Sequence, residues 1–391
     1  MSILDPAGAS GDLAVIAADL DTASGPEAVF GAPHGTPAEQ FDQLRRRYWQ
    51  LALLVHPDRH GDAPLANRAF KTLQRLYLAA QAQIGATGHG QPISPERSVV
   101  IYTRRRAYAV GEPFATGDIA TFYTCTATDR RDPAGAEIGC LLKVAANPQD
   151  NDLLANEARA LRHLAVSTDG RPVPAYIPKL LETFRFQDGS GDARQVNAFP
   201  LVTTERGPLP ADQFYTLQEI RAAYPHGVDP KQMAWIWRRL LIALGYAHDR
   251  AVVHGAVLPT HVLVHPEAHG LLLIDWTASV LDAPVTGAHV TAISPAYEAW
   301  YPLAVLARKP PTPAVDVEMG LRCMAYLLGG DPLTGALPPT VPAQLQTYLR
   351  GALRTAAVQA DARQLYRDFA DLLAALWGAR RFIPFTMPAR R

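Results

Sequence analysis

The chain has 391 residues, 48% of them hydrophobic and 19% charged, which supplies enough apolar surface for two or three domains with cores and excludes disorder over the whole length. Its 37 Lys and Arg balance 37 Asp and Glu, so it lacks the basic excess of a protein whose main work is neutralising nucleic-acid phosphates. Three cysteines (Cys125, Cys140, Cys323) with no CxxC pair predict a reducing compartment, and neither a disulfide framework nor a zinc site.

Residues 1–35 carry five acids (Asp5, Asp12, Asp19, Asp21, Glu27) and no Lys or Arg. They read as an acidic, loosely ordered arm with one short helix around Leu13–Leu20. Residues 36–84 turn basic and show two amphipathic helices. Phe41, Leu44, Tyr48, Leu51, Ala52 and Val55 form one stripe after a Thr36-Pro37 start. Ala66, Ala69, Phe70, Leu73, Leu76, Tyr77 and Ala80 form the other. Facing stripes and a short loop predict an antiparallel helical hairpin. Residues 85–97, rich in Gly, Pro and Ser, read as a linker.

From residue 98 strands mix with helices. Strands are expected at Ala120–Ala127, Gly139–Ala145, Ala198–Thr203, Val262–Val264 and Leu271–Ile274. Helices are expected at Leu153–Leu164, Pro230–His248 and throughout the stretch beyond 315. Strands first and helices later predict an α+β domain over 98–391, with one lobe about 98–204 and another about 205–391. Trp235 and Trp237 lie on the long helix, where core packing is the expected role. The segment Trp377–Phe385 is expected to fold back on the second lobe. No segment has the length of uninterrupted apolar sequence that a membrane span needs, and no secretory leader is legible. A cytoplasmic protein without membrane or nucleic-acid partners is therefore expected.

The loop between the two N-terminal helices contains His56-Pro57-Asp58. Pro57 fixes its own φ and biases His56 away from helix, so the tripeptide is a stiff turn displaying one imidazole and one carboxylate. His265-Pro266-Glu267 is an internal control that reads as a plain strand-to-strand turn. His-Pro-Asp between helices of this spacing, after a helix bearing Arg45, Arg46 and Arg47, resembles the J-domain of DnaJ-type co-chaperones. The resemblance covers about 50 residues and implies docking on a DnaK-type chaperone and stimulation of its ATPase. His56, Pro57, Asp58, Arg45, Arg46 and Arg47 would be the contact residues. The family's first helix is hard to place here, and neither a Gly/Phe-rich region nor a cysteine-rich zinc module follows.

In the second domain the order of several weak signals matters more than any one of them. Ala115–Phe122 has the layout of a Gly-rich hairpin turn, with Gly117 its one glycine. Lys143 sits in an apolar strand and needs a partner, which Glu157 on the following helix could provide. Later come His254-Gly255, an apolar strand ending at Asp275-Trp276-Thr277, and Asp316 at a helix start. This series resembles the protein-kinase fold. The resemblance implies ATP and Mg²⁺ as cofactors, with Gly117, Lys143, Glu157 and Asp275 at the nucleotide and Asp275 on the metal. His254 would be the structural histidine of the catalytic loop, and Asp316 the aspartate opening the central helix.

The loop itself departs from the family. It reads His254-Gly255-Ala256-Val257-Leu258-Pro259-Thr260-His261. Ala256 replaces the base aspartate, Leu258 the phosphate-steadying lysine and His261 the second metal ligand. Pro302-Leu303-Ala304 lacks the expected glutamate. Loss of a general base costs roughly 10²–10⁴ in rate, so ordinary Ser/Thr kinase activity is not expected. His261 suits Mg²⁺ poorly and Mn²⁺ or Zn²⁺ better. It is otherwise a histidine satisfied by a loop carbonyl. The resulting expectation is a co-chaperone module joined to a pseudokinase that binds nucleotide, a client or regulatory protein, or both, an architecture resembling bacterial regulatory operons. The alternatives are an altered phosphotransferase or nucleotidyltransferase, with His254, His261 or His265 as base, and a non-enzymatic scaffold.

Overall fold

The computed structural model describes residues 13–32, 34, 40, 43–44, 47–48, 51, 54–55, 64–87, 99–166, 170–187, 191–356 and 360–388. The chain divides into two compact units, 1–97 and 98–391.

In the first unit, α1 (Leu13–Thr22) and α2 (Pro26–Phe30) precede helical residues at 40, 43–44, 47–48, 51 and 54–55, and then α3 (Pro64–Thr87). Ile16, Ala17 and Leu20 recur on one face of α1, and with Val29 they enter a core shared with Leu51, Val55, Ala69, Leu73 and Leu76. The short helix expected around Leu13–Leu20 is present as α1, and the reading of its surroundings as a loose arm is corrected for α2 and for the packing of both helices. Charge counting hid an apolar stripe long enough to dock. Tyr48 stacks on Tyr77 at 4.3 Å, and Leu44 clusters with Ala80. The exposed Arg68–Asp21 pair at 3.3 Å adds at most about 1 kcal/mol. Residues 85–87, expected to open a linker, belong to α3, which runs to Thr87; the rest of that stretch lies outside the described residues.

The second unit opens on a curled antiparallel sheet of six strands: β1 (Val99–Tyr102), β2 (Arg106–Thr116), β3 (Ala120–Asp129), β4 (Ile138–Ala145), β5 (Glu182–Gln187) and β6 (Ala193–Pro200). Their spatial order is β1-β2-β3-β4-β6-β5. Three of these strands, β1, β2 and β5, were not anticipated. Gly111 and Pro113 interrupt β2, and its ladder to β3 shifts register around Pro113, so its pattern reads as a breaker rather than a strand. The strand expected at 198–203 runs instead over 193–200. Pro200 has no N–H to continue the ladder, and 203–204 form a separate two-residue strand, β7, paired with β8 (Gly207–Pro208).

Cys125 and Cys140 lie directly opposite each other in the β3–β4 register, Cα atoms 5.1 Å apart, and form a disulfide. This corrects the reading of free thiols. Antiparallel pairing brings together two residues that no local spacing connects, and only Cys323 stays free, buried in the core.

Helix α4 (Asn151–Ala165) packs on this sheet. The rest is mainly helical: α5 (Leu217–Ala223), α6 (Pro230–His248), α7 (Pro313–Leu327), α8 (Ala343–Thr355) and α9 (Ala362–Trp377). Short strands lie between them: β9 (Tyr215–Thr216), β10 (Val252–Val253), β11 (Val262–His265), β12 (Gly270–Leu273) and β13 (Val280–Leu281). Asp229 caps α6 by accepting the Lys231 N–H at 2.7 Å, and Pro230 occupies its first turn. α6 is apolar on most faces, as befits a helix enclosed by others. A Cβ on Gly320 of α7 would stand 2.9 Å from the Trp237 ring, so this glycine lets the two helices close together. The tail folds back as expected. Gln232 donates to the Pro384 carbonyl at 2.9 Å, and Phe385 is buried. Among the described residues no helix is long and apolar enough to cross a membrane.

Candidate functional site

Lys143 and Glu157 are each 2% exposed. Strand β4 carries the lysine and the inner face of α4 the glutamate, and the Lys143 Nζ donates to Glu157 Oε1 at 3.0 Å. The same ammonium donates to Asp275 Oδ1 at 3.0 Å. Asp275 follows β12 in the left-handed region, φ 64°, a conformation Asp tolerates better than most residues. Burial would push Lys143 down, but Asp275 and Glu157 outweigh it and its pKa is raised. Burial would push Asp275 up, but Lys143 and His261 outweigh it and hold the carboxyl well below the usual carboxylate range. The site therefore holds a lysinium against the Asp275 carboxylate at neutral pH.

Several supports carry no local signal. Asn197, fully buried on β6, donates to Glu157 Oε2 at 2.9 Å and to the Leu154 carbonyl at 2.8 Å. Thr277 donates to Asp275 Oδ1 at 2.7 Å. Asn156 donates to the Thr277 and Ser279 carbonyls, both at 2.9 Å, and so ties α4 to the segment after Asp275. An asparagine inside the apolar run of β6 was the one available clue, since buried polar groups are nearly always bonded.

The 254–261 loop hangs on Asp316, whose side chain is fully buried at the start of α7. Asp316 accepts the His254 N–H, the Gly255 N–H and His248 Nε2, each at 2.8 Å. Gly255 has φ 78°, and a Cβ there would meet the Ala278 carbonyl oxygen at 2.8 Å, so the position requires glycine.

His254 Nε2 lies 3.0 Å from the Ile274 carbonyl, which can only accept. Its Nδ1 accepts the Ala256 N–H at 3.3 Å. Both nitrogens are thus engaged and the ring is neutral. Burial pushes its pKa down to about 4. An unfolded histidine takes a proton near 6.5, so on acidification the unfolded state binds the proton first. Stability is expected to fall between about pH 6.5 and pH 4, by ~1.4 kcal/mol per pH unit for this residue. Urea unfolding at several pH values checks this, and His254→Gln is expected to flatten that part of the slope.

His265 is also engaged on both sides, by Gln213 at 3.1 Å and the Ala268 N–H at 3.1 Å, in the plain turn expected of His265-Pro266-Glu267. Of the three histidines considered as bases, only His261 turns a nitrogen toward the site: Nε2 is 3.3 Å from Asp275 Oδ2. Ala256 and Leu258 are buried in the core, so nothing acidic or cationic replaces the family's groups there. Trp237 and Trp276 are fully buried. The Trp276 indole donates to the Leu273 carbonyl at 2.8 Å and abuts His254, so it packs the interior rather than facing a ligand. Gly117 lies at the exposed β2–β3 turn, its N–H bonded to the Ala120 carbonyl at 2.9 Å, outside the Lys143 network. Phe122 in the same hairpin puts its ring 5.8 Å from Lys143 Nζ. His56, Pro57, Asp58, Arg45 and Arg46 lie outside the described residues, and Arg47 is helical and half-buried.

A stretch of 89 residues, 22% of the chain, is 30% identical to casein kinase II subunit alpha' of Saccharomyces cerevisiae. The matched stretch spans 26% of the yeast protein's length. No family profile matches the chain. The curled sheet, the helical second lobe and this short similarity together suggest a kinase-like fold.

Proposed function

We propose that residues 98–391 form a kinase-like unit that binds a nucleotide without ordinary phosphotransfer. The observation that carries this is the buried Lys143–Glu157–Asp275 network beside a loop whose base position is Ala256. A lysine held between Glu157 and Asp275 is suited to the α- and β-phosphates of ATP, and Asp275 to a divalent cation among them. These residues can position phosphates, while Ala256 offers no group to take the acceptor proton at the base position.

The same proposal assigns the first unit to recruitment of a DnaK-type chaperone through His56, Pro57 and Asp58, with Arg45, Arg46 and Arg47 as docking charges. Its support is the motif between two helical stripes, and the packing of α1 against the same core. The nucleotide-binding unit would then act as the targeting module for a client or regulatory protein.

Steady-state ATP hydrolysis tests both halves, comparing chaperone alone, this chain alone, the mixture, and the mixture with His56→Gln. The expected result is stimulation only in the mixture, abolished by His56→Gln. Turnover by the chain alone would favour an altered phosphotransferase, with His261 the group to examine. No effect in any arm with a cognate chaperone would leave an interaction scaffold.

A further inference from the structure

We propose that His261 and Asp275 form a divalent-metal pair that selects a transition metal of the Mn²⁺ class over Mg²⁺. The proposal rests on the nucleotide-site reading above and deepens it.

The backbone of His261 is clamped on both sides. Its N–H bonds to the Leu258 carbonyl at 2.9 Å, and its own carbonyl accepts the Ile274 N–H at 2.8 Å. This second bond places His261 beside the residue preceding Asp275. The ring is oriented as firmly. Nδ1 is 2.8 Å from the Ala256 carbonyl oxygen. A carbonyl only accepts, so Nδ1 carries the hydrogen. In the neutral ring Nε2 then presents its lone pair, and 3.3 Å away stands Asp275 Oδ2. Two acceptors at that distance repel unless a positive charge joins them. The charge is either a proton on the ring or a metal ion.

Three observations suit the pair to a metal. A carbonyl holding Nδ1–H while Nε2 faces outward is the support that metal-bound imidazoles ordinarily have. Both side chains stay open to solvent, His261 at 18% and Asp275 at 21%, so an ion can enter. Two metal–ligand bonds of about 2.1 Å spanning the 3.3 Å separation enclose an angle of ~104°, within the range of octahedral and tetrahedral sites. Asp275 Oδ1 is already taken by Lys143 and Thr277, which leaves Oδ2 as the free donor.

The donor set decides the metal. Mg²⁺ demands oxygen ligands and regular octahedral geometry, whereas imidazole nitrogen suits the later divalent ions. Among the described residues no group of three or more His, Cys, Asp or Glu could hold a metal. Water and nucleotide phosphate oxygens would complete the sphere.

The test uses the full chain stripped of metal by a chelator. Mn²⁺, Zn²⁺ and Mg²⁺ are titrated separately by calorimetry, with and without a non-hydrolysable ATP analogue. Pulsed electron paramagnetic resonance of the Mn²⁺ sample reads a directly bonded nitrogen. The expected result is Mn²⁺ or Zn²⁺ binding at least ~10-fold tighter than Mg²⁺, a ¹⁴N coupling in the wild type, and loss of both in His261→Asn. Equal affinity for Mg²⁺, absence of the nitrogen coupling, or a preference that survives His261→Asn would overturn the proposal. So would analogue binding that ignores every metal, which would show the pair held by a proton while leaving the nucleotide reading intact. Failure of the analogue to bind under any condition would instead strike at the nucleotide reading, and the titrations without nucleotide would still judge the pair.

Discussion

Lys143→Met is expected to destabilise the second unit by about 3–5 kcal/mol and to abolish nucleotide binding. The variant keeps the length of the side chain and removes its charge. Glu157 and Asp275 then face each other with no cation between them, and Glu157 is 2% exposed. A buried carboxylate stripped of its partner must either take up a proton or pull the strand and helix apart. The penalty should therefore shrink as pH falls and the carboxylates protonate. Denaturant unfolding of wild type and variant at neutral and mildly acidic pH measures both features. A double variant, Lys143→Met with Glu157→Gln, should recover part of the lost stability but none of the nucleotide affinity. If Lys143→Met unfolds like wild type at neutral pH, the network is not the structural centre described here.

Asp316→Asn is expected to cost a similar amount by a different route. Its carboxylate accepts three donors, from His254, Gly255 and His248, each at 2.8 Å, inside a site that excludes water. Asparagine keeps one acceptor oxygen and points an NH₂ group at a donor. Each orphaned buried donor costs about 1–3 kcal/mol, and the amide orphans one or two of the three, so a total of ~1–6 kcal/mol follows. The loss should be local as well as global. Amides of residues 254–258 should exchange with solvent far faster in the variant, because the loop has lost its anchor while β11 and β12 remain paired. Hydrogen exchange read by mass spectrometry checks this. Unchanged protection of the loop would show that Asp316 does not anchor it.

The readable and unreadable parts of this molecule differ in a physical way. Pro230–His248 was legible to the residue because its cap, its N-terminal proline and its apolar face are all local features. Lys143 could be singled out because a charge among apolar neighbours must have a partner somewhere, and Glu157 on the next helix was within reach of it. Asp275 and Asp316 stood out only through the order of signals that resembles a kinase, and their contacts could not be derived. Lys143 and Asp275 are 132 positions apart and meet only once the sheet and the β11–β12 hairpin are in place. The Cys125–Cys140 pair is equally silent, being set by a ladder register rather than by a motif. Strand β2 was lost to its own Gly111 and Pro113, whose breaker signal is overridden by pairing on both sides. Helix α1 was legible around Leu13–Leu20, but its docking through Ile16 and Leu20 was obscured by the acidic residues beside them.

The protonation of His254 and the metal choice at His261 have a common origin. Both rings lie within one loop, and backbone carbonyls fix which nitrogen of each carries hydrogen. In His254 the fixed tautomer completes a closed internal network. In His261 it leaves a lone pair facing a carboxylate, next to the space where phosphates would lie in the proposed complex.

The most direct test of the account is to equilibrate the full chain with ATP labelled in both the base and the γ-phosphate, in the presence of Mn²⁺ or Mg²⁺, and to recover the bound nucleotide after prolonged incubation. The account predicts one nucleotide per chain, recovered as intact ATP, with no label transferred to protein and no binding by Lys143→Met. Recovery of ADP, or label transferred to the chain, would contradict the reading of Ala256 as a missing base. Absence of any bound nucleotide would contradict the assignment of the Lys143–Glu157–Asp275 network to phosphate binding.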